Sequence, residues 1–287
     1  MGKIAIFGGS SWLGKSTLYY LNQMGFENEG FILTSNTYKK LSIEEDRFEL
    51  LSYDKLRKIK EEEIRILYFF SFPMGQISNE EKLKENFDFL MNEFQSFVLK
   101  NEINKVFLAS SGSVYYENWS KYRLYSKYKK KQEEFILKLC KESEIEVQIS
   151  RIFSVVAPFY NLDSNYAFTS FINSAINKSV IEVNNPLATR SYANFIDIVK
   201  MSIVDLDKKI YDASFWNLEI GTLANIIGEI FNVEVVVKEN SKNENDKYIS
   251  NDVNKISNNK FNFSKIDYQN IFDLIKITSS KKIYLEK

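Results

Sequence analysis

The chain has 287 residues, with 38 basic and 38 acidic side chains, one Cys and no His. Balanced charge argues against a protein built to coat nucleic acid, and the lack of His removes a Ser-His-Asp triad, a Cys-His dyad and His-ligated zinc. A single Cys excludes an intrachain disulfide and a Cys-cluster metal site, so no metal is expected.

Taken in chain order, the apolar pattern predicts strands at Lys3–Phe7, Gly30–Thr34, Arg47–Leu51, Arg65–Phe70, Lys105–Ser110 and Glu146–Ile149. Helical periodicity lies between several of them, at Leu13–Met24, Lys82–Lys100 and Ser126–Glu142. Gly25 follows the first helix, where a C-terminal cap needs a left-handed residue. Alternating strand and helix imply an α/β fold with a parallel sheet covered on both faces. The second half is less regular, with helical patterns at Tyr166–Asn177, Phe195–Val204 and Gly221–Phe231, and an Asn-, Lys- and Ser-rich stretch at Asn240–Asn262 that reads as an exposed loop. Cys140 lies in an apolar helical pattern and reads as a core residue. No run reaches the ~20 apolar residues of a membrane span, and the first apolar run is too short for a signal peptide. The expectation is a soluble cytoplasmic protein with no membrane or nucleic-acid partner.

The first strand runs straight into Gly8-Gly9-Ser10-Ser11-Trp12-Leu13-Gly14-Lys15-Ser16 and then a helix. Glycines let backbone approach a phosphate, and the helix N-terminus adds N–H donors and a positive dipole end. The bland alternative is a tight strand-to-helix turn. Gly9 to Ser16 also satisfies G-x-x-x-x-G-K-[ST], the P-loop of ATP- and GTP-binding proteins. That reading wants an Asp closing a later apolar strand to hold magnesium, and the ends Phe69-Phe70-Ser71 and Leu108-Ala109-Ser110-Ser111 supply none. The same residues form a dinucleotide loop in which Ser11 replaces the central glycine. The loop alone leaves both open.

Three later segments carry more. The strand at Lys105–Leu108 leads to Ala109-Ser110-Ser111-Gly112-Ser113-Val114-Tyr115, and Tyr125-Ser126-Lys127-Tyr128-Lys129 gives Y-x-x-x-K. Ser150-Arg151-Ile152-Phe153-Ser154-Val155-Val156-Ala157-Pro158 closes the next strand. In these segments the chain resembles the extended short-chain dehydrogenase/reductase family, and within it the nucleotide-sugar epimerases, dehydratases and reductases. Their pattern is a glycine loop, S-S-x-x-V-Y, Y-x-x-x-K and R-P-F-N-V-Y-G-P. Arg151, Phe153, Val155 and Pro158 keep the last element; Ile152, Ser154, Val156 and Ala157 depart from it. Arg190-Ser191-Tyr192-Ala193-Asn194-Phe195-Ile196-Asp197 is similar to the family's R-D-[FY]-[IV]-x-V-x-D, and Asn86 falls where these proteins often carry Asn. The likeness spans roughly residues 3–200.

The spacing suits the chemistry. Residues i and i+4 share a helix face, so Tyr125 and Lys129 point the same way. A free phenol titrates near ~10, and a nearby ammonium favours the phenolate. Arg123, the residue placed by the Y-x-x-S-K register, cannot do this work. Tyr122 is a weaker candidate, and the bland alternative is a solvated, Tyr-rich face spanning Tyr122, Tyr125 and Tyr128. The basic run Lys127–Lys131 likewise reads as a solvated face.

The resemblance implies a Rossmann-type doubly wound parallel sheet with a small C-terminal substrate-binding lobe. The NAD(P)-binding domain would span 1–158, with a return near 183–217, and the lobe 159–182 and 218–287. Ser111, Tyr125 and Lys129 would be catalytic. Cofactor contacts would come from Gly8, Gly9, Ser10, Ser11, Trp12, Leu13, Gly14, Thr34, Ser35, Asn36, Lys39, Asp54, Phe70, Ser71, Tyr125, Lys129 and Ile152. Substrate contacts would come from Ser113, Phe153, Ser154 and Arg190. No acid stands at the tip of the second strand, where an NAD enzyme carries one. Ser35, Asn36 and Lys39 could accommodate a 2′-phosphate instead, which favours NADP over NAD; the alternative is a loop whose lysines face water. Gly112-Ser113 replaces the acid pair of the family's 4,6-dehydratases, which argues against dehydration. The expectation is an NADP(H)-dependent reductase of a 4-keto nucleotide-activated deoxysugar, acting as a homodimer. The alternatives are an NAD-dependent nucleotide-sugar 4-epimerase, a non-catalytic dinucleotide sensor and a P-loop hydrolase or kinase.

Overall fold

The computed structural model describes residues 2–26, 30–43, 46–56, 61–76, 78–116, 123–160, 166–206, 209–238 and 246–251, and the backbone of 284–286. In chain order it begins with β1 (Lys3–Phe7), α1 (Trp12–Gln23), β2 (Phe31–Ser35), β3 (Lys39–Ile43), β4 (Asp46–Ser52) and α2 (Tyr53–Leu56). Then come β5 (Glu63–Phe69), α3 (Glu80–Lys100), β6 (Glu102–Ile103), β7 (Lys105–Ser111), α4 (Arg123–Glu142), β8 (Glu146–Ile152) and β9 (Ser154–Val156). The remainder is α5 (Ala167–Ile176), β10 (Ile181–Val183), β11 (Thr189–Asn194), α6 (Phe195–Ile203), β12 (Ile210–Ala213), β13 (Trp216–Glu219), α7 (Ile220–Phe231), β14 (Val235–Val237), β15 (Lys247–Tyr248) and β16 (Tyr284–Glu286).

The chain divides into two compact units. The first comprises 1–151, 199–211 and 282–287, and the second 152–198 and 212–281. The main sheet runs β12-β8-β7-β5-β1-β2-β4-β3-β16. Strand β1 lies between β2 and β5 and is parallel to both; β4 is parallel to β2 and β7 to β5. Without its last two strands, this is the Rossmann order, with the strand sequence reversing between β1 and β5. Ligands of such sheets bind at that reversal, beyond the carboxyl ends of the strands. The fold is therefore α/β and Rossmann-type.

Strand β3 corrects the sequence reading, which placed no strand between the second strand and Arg47. It pairs antiparallel with β4, and β16 antiparallel with β3. The alternation in Lys39-Lys40-Leu41-Ser42-Ile43 buries Leu41 and Ile43 and leaves Lys40 exposed, as a half-buried strand does.

One face of the sheet carries α3 and α4 over an aromatic core. Phe94 stacks on Phe69 at 4.2 Å and meets Phe7 edge-on at 5.3 Å. Cys140 is buried in this core, as its pattern predicted; burial pushes its thiol up to about 12. After α1, Gly25 takes φ +87°, Phe26 N–H bonds Leu21 O and Gly25 N–H bonds Asn22 O. These are the paired bonds of a Schellman cap.

In the second unit, β11 pairs antiparallel with β13 and parallel with β9 and β15. Strand β10 pairs with β14. The stretch read as a loop at Asn240–Asn262 thus contributes a strand at Lys247–Tyr248; most of the rest lies outside the described residues. Ser250 is held by Ser191 Oγ, which accepts its N–H at 2.8 Å, and by Asp212 Oδ2, which accepts its hydroxyl at 2.6 Å.

Candidate active site

The glycine loop meets the carboxyl end of β5. Gly8 takes φ +91°, and a Cβ there would stand 2.8 Å from Ser71 Oγ and 3.0 Å from Ser71 N. Gly9 N–H donates to Thr34 O at 2.8 Å, tying the loop to β2. A Cβ on Gly14 would stand 2.2 Å from Gly8 O, so only glycine lets α1 start this close beneath the loop. Ser11, at the central glycine's place, is the N-cap of α1, and its hydroxyl accepts the Gly14 N–H at 3.1 Å. No acidic residue occupies the first turn of α1, so its positive end is open to an anion. The loop fits a dinucleotide pyrophosphate; Ser10, Trp12 and Leu13 are half-buried beside it.

The floor of the loop is polar. Tyr53 OH and Ser71 Oγ share a hydrogen bond beneath Gly8, and Tyr53 stacks on Phe7 at 5.6 Å. Thr34 Oγ1 donates to Ile6 O at 3.4 Å. Ser35 is buried with its hydroxyl turned to Thr37 O, while Asn36 and Asp54 are exposed. Ser35 is thus occupied by its own turn. Sequence reading assigned no dinucleotide role to Lys15, the fourth residue of α1; burial, then the charge of Lys39, pushes its ammonium below the usual lysine range.

Helix α4 buries Ser126, Tyr128, Lys129, Gln132, Glu133, Ile136, Leu139 and Cys140, a stripe at helical spacing. The solvated-face alternatives therefore fail at two positions. Tyr128 is buried against Phe87 with ring centres 5.1 Å apart. Lys129 is buried although Lys127, Lys130 and Lys131 are exposed. Tyr122 lies outside the described residues.

Tyr125 and Lys129 converge on Phe72. The Tyr125 ring meets Phe72 edge-on at 5.1 Å, and Lys129 Nζ lies 4.9 Å from the same ring centre. Lys129 Nζ donates to Ala109 O at 2.9 Å and Gln132 Oε1 at 3.0 Å. Burial pulls Lys129 down to about 7, opposed by the charge of Glu133. Ser111, at the end of β7, caps the following 3-10 turn by accepting Ser113 N–H at 3.2 Å. Ser113 Oγ is buried with no hydrogen-bond partner among the described residues.

Sequence reading gave Glu133 no role and Arg151 only a place in the last motif. Arg151 donates Nε to Glu133 Oε1 at 3.0 Å and Nη2 to Glu133 Oε2 at 2.6 Å. Ser110 Oγ donates to the same carboxylate at 2.5 Å, and Arg151 Nη1 donates to Tyr115 OH at 2.7 Å. Arg151 is held charged, above its ordinary range, by Glu133 and Tyr115 against the opposing effect of burial.

The remaining positions fall elsewhere. Asn86 is exposed and donates to Lys82 O within its own helix. Phe70 and Ile152 are buried at the ends of β5 and β8. In the second unit, Phe153 packs on Tyr248 at 5.1 Å and Ser154 is half-buried. Arg190 Nη2 donates to Asp246 Oδ2 at 2.6 Å, so its guanidinium is engaged by the chain itself. Among the described residues, no group of three or more acidic or Cys side chains could hold a metal, and no helix is long and apolar enough to cross a membrane.

No protein-family model matches the chain, and no curated protein matches it. Solved structures do. UDP-glucose 4-epimerase from Thermotoga maritima, solved with UDP-glucose, has a TM-score of 0.70 at 13% identity, over 97% of each chain. UDP-N-acetylglucosamine 4-epimerase from Bacillus cereus has a TM-score of 0.73 at 15% identity, over 97% of each chain. TunA, an NAD-dependent NDP-hexosamine 5,6-dehydratase, has a TM-score of 0.69 at 15% identity, over 98% of this chain and 99% of its own. The fold of this chain is the one these nucleotide-sugar enzymes share.

Proposed function

We propose that this protein is a nicotinamide-dinucleotide-dependent enzyme that oxidises and re-reduces a nucleotide-activated sugar, with 4-epimerisation as its net reaction. One observation carries the proposal. Tyr125 and Lys129 are brought to Phe72 at the end of β5, directly beside the glycine loop, whose floor is the preceding residue Ser71. The epimerase names of two solved structures with this fold support the 4-epimerase over the reductase that the sequence favoured.

In this proposal Gly8, Gly9 and the N-terminus of α1 hold the pyrophosphate. A dinucleotide held there would supply a nicotinamide able to accept and return a hydride. Tyr125 Oη takes the proton of the sugar hydroxyl and later returns it. The Lys129 ammonium favours the phenolate and binds a ribose hydroxyl. Ser111 Oγ donates to the sugar oxygen as charge gathers there. Ser113, whose buried hydroxyl has no hydrogen-bond partner among the described residues, contacts the nucleotide sugar, and the protein works in the cytoplasm as a homodimer.

A second reading, reduction by NADPH, is favoured by Lys15 and Lys39, whose charges act on each other near the start of α1. Such a pair suits a 2′-phosphate.

Incubation of the purified chain with UDP-glucose or UDP-N-acetylglucosamine and either dinucleotide separates the readings. An epimerase yields the C4 epimer by NMR with no net change in nicotinamide absorbance. A reductase consumes NADPH in proportion to a 4-keto sugar. Tyr125→Phe should lower turnover by about 10²- to 10⁴-fold. A dinucleotide that binds without turnover of any of these sugars would leave the non-catalytic sensor instead.

A further inference from the structure

We propose that Gln132 is the positioning residue of the Tyr125–Lys129 pair: its amide, fixed by Ser71, holds the Lys129 ammonium in place without adding charge. This rests on the Tyr/Lys reading above. Gln132 is fully buried in the middle of α4. A buried primary amide is costly unless bonded, and an apolar side chain would fill the same space. Both of its ends are used. Nε2 donates to Ser71 O at 3.1 Å, and Oε1 accepts from Lys129 Nζ at 3.0 Å. Only one orientation satisfies both, because a backbone carbonyl can only accept and an ammonium can only donate.

Ser71 gives the arrangement its meaning. Its carbonyl orients Gln132, while its side chain lies under Gly8. The anchor of Lys129 is therefore the residue that floors the dinucleotide loop. Among the described residues, Ala109 O and Gln132 Oε1 take two of the three ammonium donors. The third serves an incoming ribose hydroxyl.

Both direct partners of Lys129 are neutral. Glu133, the next residue, has its carboxylate engaged by Arg151 and Ser110. The titratable groups around Lys129 are Glu133 and Tyr125 on α4, Arg151 from β8, Tyr115 from the turn after β7, and Tyr53 on the far side of Ser71. Helix α3 presents Phe87 to α4, and its Glu80 pairs with Lys127 at the exposed edge. With neutral carbonyls on it, the buried ammonium keeps an exchangeable proton near neutral pH. A carboxylate at 132 would pin that proton, and an apolar residue would release both proton and position.

The test titrates Lys129 in the dinucleotide-free 287-residue chain. Lysine is labelled at the ε carbon, and Lys129→Arg assigns the signal by NMR. Gln132→Glu should raise the Lys129 midpoint by about one to three pH units, and Gln132→Met should lower it. In turnover assays, both variants should lose kcat by about a hundredfold, with KM for the dinucleotide changing less and the pH profile moving with the lysine midpoint. Thermal unfolding establishes that each variant is folded; should Gln132→Met fail to fold, the isosteric Gln132→Glu decides alone. Folded variants with an unmoved Lys129 midpoint, or with lowered kcat at an unmoved pH profile, would reduce Gln132 to a packing role. If the wild type turned over no nucleotide sugar, the titration would still show whether Gln132 holds Lys129, so the two failures are told apart.

Discussion

Replacing Arg151 by Met isolates the buried ion pair behind the candidate site. Glu133 is only 3% exposed, and its carboxylate accepts three hydrogen bonds, two of them from Arg151. Removing the guanidinium strands a buried carboxylate with Ser110 as its remaining donor. A broken buried pair costs about 3–5 kcal/mol, which for a chain of this size lowers Tm by roughly 10 °C. Arg151→Met also removes the partner of Tyr115 OH, but Tyr115 is 53% exposed and water replaces that bond. The double variant Glu133→Leu/Arg151→Met removes both charges and should recover most of the loss, because matched apolar groups dispense with the desolvation cost. Urea unfolding followed by far-ultraviolet circular dichroism on the wild type, both single variants and the double variant closes the cycle. The reasoning is refuted if Arg151→Met lies within about 1 kcal/mol of wild type, or if the double variant is as unstable as Arg151→Met.

Three further outcomes are expected. Gly14→Ala drives a methyl into Gly8 O, a backbone atom that cannot swing away; the shift of α1 should cost about 1–3 kcal/mol and weaken dinucleotide binding in calorimetric titration. Lys129→Met tests pH linkage. Lys129 titrates at about 7 in the folded protein and near ~10.4 when unfolded, so the unfolded chain binds more protons between those values. Wild-type stability should therefore rise with pH across that window relative to Lys129→Met, and parallel denaturation curves would contradict this. Phe94→Ala opens a cavity between Phe69 and Phe7 and should cost about 3–5 kcal/mol in chemical denaturation.

Much of the first unit could be read in the sequence, because it is local. Strand β1 runs over the five residues its apolar run marked, and α1 ends at the glycine that caps it. Tyr125 and Lys129 share a face because helical period requires it, whatever surrounds the helix. Cys140 was placed in the core by the same period.

What surrounds that face could not be read. Tyr128 and Lys129 look alike in a basic, Tyr-rich run, and only the packing of α3, β5 and β7 against α4 buries them. Strand β3 carries a short alternation that a loop can also show, and its pairing with β4 and β16 makes it a strand. Arg190 looked available to a ligand until Asp246, 56 positions later, was found on it. Ser71, Ala109, Gln132 and Arg151 carry no shared motif; three strands and a helix bring them to one place. Period and turn chemistry act over a few residues and are written in sequence. Burial, charge pairing and the orientation of Gln132 depend on groups far apart along the chain, so they exist only once the sheet has closed.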